Sequence, residues 1–95
     1  MMDFPIDPSL REKLLGDNAT MALQALFQEH HDRLQRLIRL RLDSRLRGRV
    51  RSASVLDRAL LKMKRGLADY VRFPEISPYV WMRKLTGDTL SEVHR

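Results

Sequence analysis

The sequence predicts a small all-α bundle of three main helices and a short N-terminal helix. Apolar residues recur three and four positions apart over long stretches, which is the period of a helix with one buried face. No strand-like alternation continues for more than a few residues. Gly16, Gly48 and the four prolines fall where helices would begin or end. We therefore expect a leader and short helix in residues 1–18 and one helical domain in residues 19–95.

The N-terminal region predicts a loose leader, Met1 to Ile6, before the short helix. Asp7 is a suitable N-cap, Pro8 fits the first helical position, and Gly16 can end the helix.

The second helix is predicted to start after an N-cap at Asp17 or Asn18. Beyond Leu42 the apolar period fades, so Gly48 either ends this helix or lies in its frayed end. Its predicted buried stripe is Leu23, Leu26, Phe27, His30, Leu34, Leu37 and Ile38.

The third helix is predicted to begin at a serine cap, Ser52 or Ser54, and to end where Phe73-Pro74 disfavours helical backbone. Leu61 lies off the apolar stripe, as a residue on an exposed or partner-binding face would. The stripe itself comprises Leu56, Ala59, Leu60, Met63, Leu67 and Tyr70.

The last helix is predicted to start at Ser77-Pro78, with Met82, Leu85, Leu90 and Val93 as its apolar residues. Gly87 inside a helix costs about 1 kcal/mol relative to alanine. Close helix packing or the approach of a ligand would explain this glycine.

Positive charge is concentrated in the middle of the chain. The net charge is +6, and eight arginines but only one acid, Asp43, lie between Arg33 and Arg51. A polyanion would relieve this repulsion, whereas a solvated helix face is the simpler alternative; both interpretations stay open. A membrane-surface helix is disfavoured because arginines interrupt too many of its faces.

Catalytic and metal chemistry find little support in the sequence. The chain has no cysteine, no Gly-x-Ser-x-Gly motif and no glycine-rich phosphate loop. His30 and His31, beside Glu29 and Asp32, point about 100° apart on a helix and cannot face one ion together. We expect a non-enzymatic protein without cofactor. The lack of cysteine is compatible with a cytoplasmic location, and no secretion or membrane-spanning segment is evident.

Two aromatic residues precede two cations near the start of the last helix. Rings can stack on unpaired bases while cations hold phosphates, so Tyr79 and Trp81 beside Arg83 and Lys84 suit single-stranded nucleic acid. Arg72, Phe73 and Tyr79 could together form a rim around an extruded base. A lone tryptophan in a small domain commonly fills the core instead, so the role of Trp81 stays open.

Residues 26–95 resemble region 2 of bacterial RNA polymerase sigma factors of the extracytoplasmic-function group. Three segments carry the resemblance, LFQEHHDRLQRLIRLRL, SASVLDRALLKMKRGLADY and PYVWMRKLTGDTLSEVHR, in the order of that family's conserved helices. The usual third pattern, Phe-x-x-Trp-Leu, is similar to the text around Trp81. The resemblance implies a helical domain that docks on core RNA polymerase and melts the promoter minus-ten element.

The resemblance also implies two binding surfaces. Docking on the clamp helices of the largest polymerase subunit would use Ser54, Val55, Asp57, Arg58, Leu61 and Lys62. The non-template promoter strand would contact Arg72, Phe73, Tyr79, Trp81, Arg83, Lys84, Asp88, Glu92 and Arg95. An anti-sigma protein is a further candidate partner.

The chain departs from the family pattern in both surfaces. Ser54, Asp57 and Arg58 replace the family's acid, amide and acid, and Arg58 would repel a basic partner surface. Asp88 and Glu92 stand where asparagine is common, so base preference is open. Arg95 ends the chain before the family's second, promoter-reading domain, which favours a piece of a longer protein over one without independent promoter recognition.

Three other functions compete with the sigma interpretation. A degenerate sigma-like module could bind a protein regulator through Leu61 and its neighbours without contacting DNA. A general nucleic-acid-binding domain would show strong salt dependence without sequence or polymerase preference. A small metalloenzyme ranks last.

Overall fold

The fold is an all-α bundle, as the sequence predicts. A computed structural model describes residues 5–95, and this part of the chain contains no strand. The four helices are α1 (Pro8–Leu15), α2 (Ala19–Arg41), α3 (Ser52–Arg72) and α4 (Pro78–Val93). Helix α3 packs against each of the other three, and α4 also packs against α2. Among the described helices, none is both long enough and apolar enough to cross a membrane.

Two of the predicted helix starts have side-chain caps. The Asp7 carboxylate accepts a hydrogen bond from the Leu10 N–H at 3.2 Å, and the Ser77 hydroxyl accepts one from the Val80 N–H at 3.3 Å. Proline occupies the first turn of both helices, α1 and α4, where no backbone N–H is needed.

The predicted caps of the other two helices are not formed. Asn18 occupies the N-cap position of α2, but its side chain makes no capping hydrogen bond. The prediction of a serine cap for α3 is wrong, because Arg51 is the N-cap residue and Ser52 is already helical. The first amides of α3 therefore have no side-chain acceptor from an N-cap residue.

Helix α2 ends at Arg41, and residues 43–50 form a series of turns. We call residues 43–50 the turn segment. Gly48 lies within it, so it neither ends α2 nor belongs to its last turn. The Asp43 N–H donates a hydrogen bond to His94 Nε2 at 3.2 Å, which joins the start of the turn segment to the residue that caps α4.

The core follows the predicted stripes with some revisions. His30, Leu37 and Leu60 are half-buried rather than fully buried. Ile6 is buried, so the leader is not loose at that residue. Residues 1–4 of the predicted leader lie outside the described residues. Val55, Val71, Trp81, Thr86 and Thr89 are additional buried residues that the stripes omitted.

Helix α1 is attached to the carboxyl end of α3 by one arginine. Arg11 donates from Nε to the Val71 carbonyl at 2.9 Å and from its terminal guanidinium nitrogen to the Arg72 carbonyl at 3.2 Å. The last carbonyls of a helix have no partner within that helix. Arg11 therefore satisfies two of them and fixes the residues that lead into the α3–α4 connection.

Candidate nucleic-acid interface

Trp81 lies in the core and not on a binding surface. It is 7% exposed, and its ring stacks on Tyr70 with centroids 4.4 Å apart and planes 7° from parallel. The Tyr70 hydroxyl donates to the Ile76 carbonyl at 2.6 Å, and burial raises the pKa of Tyr70 to about 12. The prediction that Trp81 contacts DNA is therefore corrected in favour of the core alternative.

Tyr79 is half-buried, and its ring is already in contact with side chains of α2. The Arg33 guanidinium lies 3.8 Å from the ring centroid, and the His30 ring is 5.1 Å away at an angle of 48°. Arg83 is more distant, at 5.9 Å. A cation over an aromatic face is attracted by the ring quadrupole. Tyr79 thus positions Arg33 and has little free surface for stacking on a base.

Phe73 is the exposed aromatic residue of the described chain. Its exposed fraction is 76%, and it follows α3 directly. The neighbouring Arg72 is exposed, as are Arg83 and Lys84 in the first half of α4. Of the predicted rim, Phe73 and Arg72 are accessible, whereas Tyr79 is largely occupied by its own contacts.

The second half of α4 divides the predicted DNA-binding residues. Asp88 and Arg95 are exposed. Glu92 forms ion pairs with Lys62 and, at 3.4 Å, with Arg58 of α3. The Lys62 ammonium holds the pKa of Glu92 below its usual range, chiefly through their hydrogen bond. Glu92 therefore links α4 to α3 and is not free to accept from a base.

Most of the predicted polymerase-binding residues lie on an open face of α3. Ser54, Asp57 and Arg58 are exposed, Leu61 is 46% exposed, and Lys62 is half-buried. Val55 is the exception, because it is 1% exposed and belongs to the core. The prediction that Val55 contacts the polymerase is therefore wrong, because its side chain is not accessible to a partner. We call the remaining residues, Ser54, Asp57, Arg58, Leu61 and Lys62, the α3 face.

The predicted site residues do not include a larger basic surface on α2 and the segment that follows it. One depression of about 210 Å³ lies beside Tyr79 and is lined by Arg33, Arg36, Leu37 and Leu40. A second, of about 530 Å³, is lined by Arg39, Leu40, Leu42, Arg47, Val50, Arg51 and Ser52. Leu40, which is 76% exposed, lines both. We call the two adjoining depressions the arginine channel. In the sequence, the excess of arginine indicates this basic surface. The turn segment that lines part of it has no apolar periodicity, so its conformation could not be predicted.

The single acid of this region is occupied by a neighbour. The Asp43 carboxylate accepts from the Arg45 backbone N–H at 2.9 Å and from its guanidinium at 3.0 and 3.3 Å. These bonds lower the pKa of Asp43 to about 2, the Arg45 side chain contributing most. Within residues 5–95, none of the five channel arginines forms an ion pair.

No metal site accompanies these surfaces. Across residues 5–95 there is no group of three His, Asp or Glu side chains placed to hold an ion. His31 instead contacts its neighbour Asp32 at 3.2 Å. No known protein family, curated protein or solved structure matches the chain.

Proposed function

We propose that the chain is the core-binding and promoter-melting domain of a bacterial transcription initiation factor, similar to region 2 of sigma factors. The observation that carries the proposal is the exposed Phe73 beside Arg72, at the end of a helix whose opposite half presents the α3 face. Docking of α3 on core polymerase would hold this connection over DNA. The separated non-template strand would then bind to it.

The chemistry of melting needs no catalytic group. An unpaired base can stack on Phe73 while Arg72, Arg83 and Lys84 interact with phosphates. The binding free energy of the separated strand offsets the cost of unpairing. Trp81 contributes indirectly, because its stack fixes Tyr70, whose hydroxyl holds the Ile76 carbonyl of the connection. Such a role would place the protein in the cytoplasm.

The α3 face differs in charge from what the family resemblance implies. Arg58 introduces a cation, but Glu92 pairs with it and with Lys62. This pairing reduces the repulsion that a basic partner would meet. Leu61, which is 46% exposed, supplies apolar contact area on this face. Both residues are therefore the positions to change when docking is tested.

The test is binding of the domain to purified bacterial core RNA polymerase, with and without a labelled non-template minus-ten strand. Leu61→Ala should weaken polymerase binding, and Arg58→Glu should strengthen it by restoring an acid opposite a basic partner surface. Phe73→Ala should leave polymerase binding intact and reduce capture of the strand. Leu15→Ala is the matched control, since Leu15 is an exposed leucine of α1. No binding by the wild-type domain, where a control sigma domain binds, would refute the proposal.

Burial of Trp81 favours one alternative, a sigma-like module that binds a protein regulator without contacting DNA. Because Trp81 is buried, one of the two aromatic residues of α4 that the sequence predicts as strand contacts is not accessible. In that case the α3 face would still be the binding surface. The alternative predicts that Phe73→Ala does not change the affinity of the domain for single-stranded DNA.

A further inference from the structure

The arginine channel is a basic surface of two depressions, separate from the Phe73 connection. Both depressions are lined by Leu40; one also contacts Tyr79, and the other reaches the start of α3. We propose that the channel is a second nucleic-acid site, which binds the sugar–phosphate backbone of a single strand. This inference does not depend on the sigma assignment.

The lining of the channel matches a nucleotide strand better than a simple anion. Guanidinium groups bind phosphate oxygens through paired, planar hydrogen bonds, and the channel provides five of them. Leu40, Leu42 and Val50 form an apolar wall on which sugars and base faces can lie. The larger depression is open to solvent and has a volume of about 530 Å³. A bare phosphate would leave most of it unfilled.

The arginines of the channel are available to an anion because, within residues 5–95, none of them pairs with an acid. Asp43 is fully engaged by Arg45, which lies outside the channel. The five channel arginines, Arg33, Arg36, Arg39, Arg47 and Arg51, repel one another in the free protein. A bound polyanion removes this repulsion and releases counterions, which gives a favourable free energy of binding.

Two local features pre-organise the channel. The Tyr79 ring holds the Arg33 guanidinium at 3.8 Å, so this cation loses less side-chain entropy on binding. At the other end, the first turn of α3 reaches the channel at Ser52 without a side-chain cap. Its free amide groups add to the preference for an anion that the arginines establish.

The experiment compares two triple variants that remove the same charge. Arg39→Gln/Arg47→Gln/Arg51→Gln changes the channel, and Lys13→Gln/Lys64→Gln/Arg65→Gln changes exposed cations elsewhere. Fluorescence anisotropy measures binding of a short labelled single strand, and of its duplex, over a range of salt concentrations. Circular dichroism verifies that both variants are folded.

We expect the channel variant to lose about tenfold or more in affinity for the single strand at low salt. Its salt dependence should also fall by about 2 in log–log slope, as three lost phosphate contacts imply for a single strand. The control should lose clearly less, and the wild-type domain should bind the strand more tightly than the duplex.

Three results would overturn the inference. Equal losses in both variants would mean that only net charge matters. Tighter binding of the duplex would contradict a single-strand site. Displacement of the strand by inorganic triphosphate at equimolar amounts would identify a small-anion site instead. Because no polymerase is present and Phe73 is unchanged, failure here leaves the proposed docking function standing, and failure of polymerase binding leaves the channel standing.

Discussion

The aromatic residues of α4 and the arginines of the channel differ in how far their side chains are already engaged by other protein side chains. Trp81 and Tyr79 look like ligand contacts in the sequence, yet one stacks on Tyr70 and the other on Arg33. The channel arginines look like a solvated face, yet within residues 5–95 they have no acidic partner and line a depression. The side chains that are still free to bind a ligand are therefore mainly the cationic ones.

This difference shows why residue type alone is a weak guide to a binding site. An aromatic ring that already packs against a protein partner gains little from a ligand. A guanidinium without an acidic neighbour gains both Coulomb energy and counterion release when it meets a phosphate. Phe73 is the exception among the aromatic residues, because its exposed ring can still gain from stacking on a ligand.

Replacing each of two aromatic residues by alanine tests the comparison most strongly. Trp81→Ala should lower the free energy of unfolding by about 3 to 5 kcal/mol, because it leaves a cavity against Tyr70. Phe73→Ala should change it by less than about 0.5 kcal/mol, since Phe73 is 76% exposed. Urea denaturation followed by circular dichroism measures both. Equal losses would mean that Phe73 is a packing residue and not a contact for bases.

Removal of the Tyr70 hydroxyl is the next test, because this group links the buried Tyr70–Trp81 stack to the residues between α3 and α4. Tyr70→Phe keeps the stacked ring but removes the hydrogen bond to Ile76, at a cost of about 1 kcal/mol. Matched measurements with Thr20→Ser, a conservative change at an exposed position of α2, give the baseline.

The same variant makes a prediction about pH. The folded-state pKa of Tyr70 is about 12, above its ordinary value of 10.0, so the folded protein keeps a proton that the unfolded chain loses. Stability from this group is full below pH 10.0 and declines as the pH rises towards 12. Urea midpoints across this range should fall further in the wild type than in Tyr70→Phe. Parallel curves would show that Tyr70 ionises equally in both states.

The helices could be predicted from the sequence because their signals are local. Ser77-Pro78 begins α4, and the break at Phe73-Pro74 follows from the steric effect of proline on the preceding residue. The apolar periods of α2 and α3 identify most of the core for the same reason. Capping was the local signal that failed, because neither candidate serine occupies the N-cap position of α3 and the Asn18 side chain does not cap α2.

The buried face of α4 could be predicted only in part: Met82 and Leu90 belong to it as expected, but two buried threonines were not foreseen. Thr86 and Thr89 are fully buried, and each hydroxyl donates to the carbonyl four residues earlier, at 2.8 Å. Polar in sequence but satisfied by the helix itself, they extend the core face that includes Trp81. The arginine channel was missed for another reason: its larger depression is lined by Arg47 and Val50 of the turn segment, which has no apolar period and is joined to α4 by the Asp43–His94 hydrogen bond.

Gly87 provides the smallest and most selective test of the α4 surface. Close helix packing does not explain this glycine, because an added Cβ would have no heavy atom within 4 Å. Gly87→Ala should therefore raise the free energy of unfolding by about 0.5 to 1 kcal/mol through helix propensity. Gly66→Ala is the control: its Cβ would lie 3.9 Å from Trp81 Cζ2, an ordinary contact, so a similar gain is expected. If a ligand approaches closely at Gly87, Gly87→Ala will weaken single-strand binding and Gly66→Ala will not. Equal affinities of the two variants for the strand would mean that the substitution at Gly87 acts through helix propensity alone.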